Sequence, residues 1–359
     1  MKLRRIEMLR GFCAIYVFLG HFLLTHLLEK NSAFGFFFRF GQEAVILFFI
    51  ISGFVIFYSI NPAKNINFTQ YFERRFLRIY PIFLFSIFIC ILFLIFQNKE
   101  ISILNLLGNI LMFQDFDGGK PGVFFGTFSG NPALWSLSYE WWFYMLFFIV
   151  WKKYDYFNQI KPVLFITFSG FITYQLIPNQ ISLFCSYFLI WWIGVELAKQ
   201  YKNGDNIKNL KLSFSWLILL MFLNLINSIL YKLNGGSLSF GIYPILQLRH
   251  TFAAVIFVTI YFVWNYYKWI GFNTIFKNFY FIAPLTYSIY ILHYPLSVSS
   301  DYLNFIDNNY IKILLYILIV LLISYFAEYI LQKRVVSFYK KIKSLIKRES
   351  SSSIESKRG

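Results

Sequence analysis

Arg10 and His21 stand eleven positions apart in LRGFCAIYVFLGH. On a helix eleven steps make three turns plus about 20°, so both side chains project from one face, about 16 Å apart along the axis. Such a helix could hold an anion at one level and accept a proton at another. Equally, Arg10 could be a membrane anchor and His21 a hydrogen-bonded packing residue. Arg75 and Arg78, after Arg74 and before Tyr80 and Pro81 (FERRFLRIYP), are i,i+3 neighbours. Such a pair can fork onto phosphate oxygens, or contact lipid head groups. In Trp135-Ser136-Leu137-Ser138-Tyr139-Glu140 the serine Ser136 and the carboxylate Glu140 share a face at i,i+4. A carboxylate in an apolar helix needs a partner or a neutralising proton, unless Ser136 starts the helix and Glu140 lies in its first turn. His293 sits at i+7 from Thr286 and i+3 from Tyr290, where a structural histidine fits as well as a functional one. Glu43 and the Arg249-His250 pair either line a cavity or mark the outer interface.

These residues must be positioned by membrane helices. The chain has 359 residues, 58% hydrophobic and 14% charged, with 47 Phe, 26 Tyr and 9 Trp. A soluble domain carries about a quarter charged residues, and one globular core cannot bury this much aromatic surface, whereas a bilayer accepts it on the outside of every helix. That excludes most soluble enzymes. The cysteines Cys13, Cys90 and Cys185 each lie in an apolar run, so neither a disulfide framework nor a metal site is indicated.

A spanning helix needs about 20 mostly apolar residues. Such runs lie at roughly 7–28, 40–60, 79–97, 134–151, 161–178, 182–200, 212–231, 241–266, 283–299 and 309–332. The fold class expected is therefore all-α, a polytopic integral-membrane bundle of about ten transmembrane helices. The shorter apolar stretch 101–114 reads as an interfacial or re-entrant piece. With both termini cytoplasmic, 26 of the 33 basic residues fall on the inner side. Lys30, Arg39, Lys99, Lys120, Lys232, Arg249 and Lys312 remain outside. The net charge of +17 is thus a topology signal rather than a nucleic-acid surface. Residues 1–24 lack a small-residue cleavage site after the apolar stretch and read as the first helix rather than a leader. A membrane domain over 1–335 and a basic cytoplasmic tail over 336–359, an amphipathic cap and then disorder, complete the organisation.

The spacing Arg10-X10-His21, with VILFFIISGFVI (45–56), ERRFLRIYP (73–81), WSLSYEWWFY (135–144) and TYSIYILHYPL (286–296), resembles in this order the integral-membrane acyltransferase-3 family, bacterial enzymes that O-acylate surface carbohydrate. The resemblance covers roughly residues 5–335. It implies a ten-helix enzyme of the inner membrane taking an acyl group, typically acetyl, from cytoplasmic acyl-coenzyme A to a carbohydrate hydroxyl of an O-antigen, capsule or exopolysaccharide at the outer face. It also implies that Arg10 and His21 are the signature pair, that Arg75 and Arg78 are the arginine pair near the donor, and that Glu140 is the motif carboxylate. Where many relatives carry a polar or acidic residue before the FF of the second helix, this chain has Ile46, and any role carried there is lost or moved, with Glu43 as one alternative.

On this reading Arg75, Arg78 and Arg10 hold the donor phosphates. His21 is the general base or an acyl carrier, and Glu140 orients His21 or binds the acceptor. Ser136, Tyr139, Trp135 and His293 are acceptor or supporting groups, and no metal is required. The Gly-rich outer segment 115–133 reads as a mobile cover over the sugar. The rivals are a transporter or flippase of lipid-linked sugars, which usually shows two related halves with interrupted helices not seen here, and a non-catalytic receptor, which would not need Arg10 and His21 aligned through one helix.

Overall fold

The computed structural model describes residues 3–29, 32–60, 66–203 and 207–355. Lys30, placed on the outer side above, lies outside the described residues, as do Lys2, Lys64, Lys357 and Arg358 of the inner set. In lipid the backbone must satisfy its own polar groups, so apolar runs become helices. They are α1 (Arg4–His26), α2 (Ala33–Phe37), α3 (Gly41–Ser59), α4 (Phe68–Phe96), α5 (Ile103–Ile110), α6 (Trp135–Lys153), α7 (Ile160–Leu176), α8 (Gln180–Asn203), α9 (Ile207–Leu233), α10 (Ile245–Tyr266), α11 (Phe272–Phe276), α12 (Thr286–His293), α13 (Asn309–Tyr325) and α14 (Gln332–Glu355). Two-residue strands, β1 (Gln114–Asp115) and β2 (Phe125–Gly126), pair in parallel within one connection.

Among the described residues eight helices are long and apolar enough to cross a membrane. The other two expected spans are shorter pieces: α7, and α12 continued by a π-helical turn over Tyr294–Val298. The chain is a polytopic all-α membrane bundle. The stretch 101–114 contributes α5, started by the Ser102 hydroxyl accepting the Asn105 N–H, with Ile103, Leu104, Leu107 and Leu111 exposed as an apolar face. That is the form of a helix lying along an interface. The last span runs through a second π turn, Phe326–Leu331, into α14, which continues to Glu355; residues 356–359 lie outside the described residues.

The two sets of loops separate. At the basic end Lys199 Nζ donates to Tyr156 O at 3.2 Å, Asn209 to Phe157 O at 3.1 Å, and Arg5 stacks 4.6 Å over Trp269. At the opposite end Tyr174 donates to Pro121 O at 2.9 Å, and the Tyr243 N–H to Gly119 O at 2.8 Å. α3 and α8 cross backbone to backbone: a Cβ on Gly194 would lie 1.9 Å from Ile50 O, and one on Gly53 2.1 Å from Trp191 O.

Two prolines inside helical segments recruit side chains from elsewhere. Proline has no N–H, so it frees the carbonyl four residues before it. Pro81 frees Leu77 O, which accepts from Gln332 Nε2 and ties α4 to α14. Pro295 frees Ile291 O, which accepts from Asn131 Nδ2 at 3.0 Å and Ser86 Oγ at 3.1 Å. The turn that carries His293 is thereby fastened to α4 and to the loop before α6.

Candidate active site

Arg10, Arg75, Arg78, Ser136 and Glu140 line one cavity of about 390 Å³, together with Ser52, Tyr144, Thr286, Tyr287 and Tyr290. On α6 the positions 136, 140 and 144 recur at i+4, so one helical stripe supplies Ser136, Glu140 and Tyr144. The cations differ in how they are neutralised. Arg10 Nη1 reaches Glu7 at 3.1 Å and its Nη2 donates to Thr286 Oγ1 at 3.3 Å. Arg78 pairs with Glu328. Arg75 has no ion-pair partner among the described residues: it lies 5.3 Å over the Tyr71 ring and 5.6 Å from that of Tyr144, with a buried Nε that makes no hydrogen bond. Glu140 Oε1 accepts from Ser52 Oγ at 2.7 Å and from the Tyr144 hydroxyl. Three guanidinium groups and one carboxylate line this cavity; Glu7 and Glu328 neutralise two of the three, which leaves Arg75 as the arginine without an ion pair among the described residues.

Glu140 and His21 do not meet. The partner of His21 is His293: Nδ1 of His21 lies 2.9 Å from Nε2 of His293, the rings nearly parallel at 16° with centroids 5.2 Å apart. The proton positions follow from the network. Nδ1 of His293 is 3.0 Å from Ile289 O, and a carbonyl can only accept, so this Nδ1 carries a proton. In neutral His293 the Nε2 is then an acceptor, and His21 must donate its Nδ1–H to it. The lone pair of His21 is left on Nε2. His26, also on α1, lies 2.6 Å through Nε2 from Ser297 O and stacks on Tyr316, so α1 grips the same turn twice.

His21 lines a second pocket, of about 360 Å³, with Thr25, Phe116, Asp117, Thr127, Pro132 and Tyr294. This one opens among the loops of the end opposite the basic one. Between the two spaces stand Tyr290, whose hydroxyl is 2.8 Å from Ser136 Oγ, and His293, whose ring centroid is 6.4 Å from that of Tyr290.

Trp135 and Tyr139 line neither space. Tyr139 donates to Asp115 Oδ2 at 2.6 Å, and Lys120 Nζ reaches Asp115 Oδ1 at 2.8 Å while lying 4.0 Å over the Trp135 ring. Both ionic groups are buried; burial pushes the Lys120 ammonium below the usual lysine range, against the pull of Asp115. Trp135 is 4% exposed and stacked on His250, so it offers no face to a sugar. The 115–133 segment, expected as a mobile cover, is fastened by this pair, by Asn131 and by the β1–β2 pairing. The ion pair and the strand pairing lie largely within the segment, and its contacts to the bundle include those of Asp115 with Tyr139, Lys120 with Trp135 and Asn131 with Ile291.

His250 is held between the Tyr187 hydroxyl at 2.8 Å and Gln42 Oε1 at 3.0 Å. Glu43 pairs with Arg249 at 2.5 Å and Ile46 is fully buried; none of these residues lines either space. Sequence reasoning missed Ser52, Tyr144, Ser86 and Asn131. Tyr144 had a signal in its i+4 spacing from Glu140, and Pro295 signals a freed carbonyl without naming the side chains that reach it.

A family model described as an acyltransferase domain matches residues 3–331. Neither the curated proteins nor the solved structures give a match. A match over nearly the whole chain, on a multi-pass helix bundle, means that this protein belongs to the acyltransferase-3 family of membrane acyltransferases.

Proposed function

We propose that the protein is an O-acyltransferase of the bacterial inner membrane. It moves an acyl group, acetyl in the simplest case, from cytoplasmic acyl-coenzyme A to a hydroxyl of a cell-surface or lipid-linked carbohydrate at the outer face. The basic end of the bundle faces the cytoplasm by the positive-inside rule. Coenzyme A is an anionic nucleotide on a thin arm, and the three-arginine cavity suits its phosphates, with the unpaired Arg75 as the open position.

The observation that carries this reading is the chain of contacts from Ile289 O through His293 to His21, which assigns the proton of His21 to Nδ1. With Nδ1–H given to His293, Nε2 can accept the proton of a sugar hydroxyl as its oxygen attacks the thioester carbonyl. The new C–O bond forms, the C–S bond breaks, and the proton held on Nε2 is returned to the departing thiolate sulfur. His293 steadies the imidazolium meanwhile, in the place that a carboxylate takes in a serine-protease triad. Attack by Nε2 itself, giving an acyl-histidine, uses the same lone pair. Glu140, held by Ser52 and Tyr144 on the cavity wall, belongs in this account to the donor side.

Purified protein given acetyl-coenzyme A should release free thiol only when a polysaccharide acceptor is added. His21→Ala should lose at least about 10²-fold in that rate while being expressed and inserted normally. Thiol release by the variant at the wild-type rate would remove His21 from the chemistry, and release independent of acceptor would remove the transfer.

A further inference from the structure

At the basic end a pocket of about 510 Å³ opens between α1, α3, α8 and α10. Ile51 lines both this space and the three-arginine cavity, so α3 is the wall between them. Its depth is apolar, with Leu9, Ile50, Leu197 and Val258; its rim carries Arg4, Arg5, Tyr201, Trp269 and Asn265, and no acidic side chain lines it. Arg5 lies 4.6 Å over the Trp269 ring and Arg4 5.3 Å over that of Tyr280, and neither makes an ion pair with a carboxylate among the described residues.

The Arg5 guanidinium over the Trp269 indole, with Arg4 and Tyr201 on the same rim above an apolar recess, matches an amphiphile at the membrane surface. Aromatic residues of this kind sit at head-group level. A basic rim attracts anionic head groups, and a guanidinium group can fork onto phosphate oxygens. The volume falls in the range of ligand pockets. We propose that this pocket is a binding site for one anionic glycerophospholipid of the inner leaflet, with an acyl chain along Leu9 and Val258 and its phosphate at Arg5, with Arg4 adding positive charge to the same rim. The site is separate from the donor cavity, and the lipid would buttress α3, one of that cavity's walls.

The test uses the full chain in mild detergent, offered phosphatidylglycerol and phosphatidylcholine with matched acyl chains, with retained lipid counted by native mass spectrometry. Wild type should keep one phosphatidylglycerol in about tenfold preference. Arg4→Gln/Arg5→Gln should bring the ratio close to one without changing the melting temperature, and Val258→Trp, which fills the recess, should retain neither lipid. Equal retention of both lipids by wild type, or a preference that survives the double arginine substitution, would overturn the proposal. So would displacement of phosphatidylglycerol by acetyl-coenzyme A, which would give the pocket to the nucleotide. If Val258→Trp fails to fold, the arginine pair alone decides.

Discussion

At the residue scale the proposed chemistry rests on the chain of hydrogen bonds from the Ile289 carbonyl through His293 to His21. Removing the acceptor of His21 Nδ1–H frees the ring to rotate and to change tautomer. His293→Ala is therefore expected to lower kcat by about 10²-fold or more with little change in the donor KM. A raised KM with unchanged kcat would make His293 a packing residue. Arg75 is expected to behave in the opposite way: Arg75→Gln should raise the donor KM about 10- to 100-fold, the scale of hydrogen bonds to a charged group, and leave the acceptor KM nearly unchanged. Equal effects on both substrates would make Arg75 a helix anchor. Spacing alone made part of this site legible. Arg10 and His21 do share α1, and Arg10, Arg75, Arg78, Ser136 and Glu140 do line one space. What spacing could not give was pairing across the fold: His293 lies 272 positions from His21. Trp135 and Tyr139 read as sugar-facing because they open a helix, but the buried Asp115 and Lys120 draw them inward.

At the scale of elements the site is held by carbonyls that prolines release. Asn131 reaches from the loop before α6 to Ile291 O, and Ser86 from α4 to the same atom. Asn131→Ala leaves part of that acceptor unsatisfied and is expected to cost about 1–3 kcal/mol, read as a lower melting temperature in detergent. Pro295→Ala supplies the missing N–H and should restore part of the loss in the double variant. Full additivity of the two substitutions would show that Asn131 and Pro295 are not coupled. The apolar runs were legible because lipid leaves an apolar segment few conformations but a helix. The ends were less so. α12 is short because Pro295 turns it into a π segment, and the segment 115–133 looks like a loose loop until the Asp115 and Lys120 charges are buried in it.

For the whole molecule the arrangement is two spaces in series. The three-arginine cavity lies on the basic side, the pocket containing His21 opens among the opposite loops, and Tyr290 and His293 stand between. In the proposed reaction an acyl group passes from one to the other and so enters on one side of the membrane and leaves on the other, a direction taken from the charge asymmetry of the sequence. The most direct test is acyl transfer in sealed proteoliposomes that hold acetyl-coenzyme A on the basic-end side only and an oligosaccharide acceptor on the opposite side only. The account predicts an O-acetyl ester on the acceptor with one thiol freed per ester, and a rate at least about 10²-fold lower for His21→Ala. Ester formation only when both substrates share a side, or at an undiminished rate in His21→Ala, would contradict it.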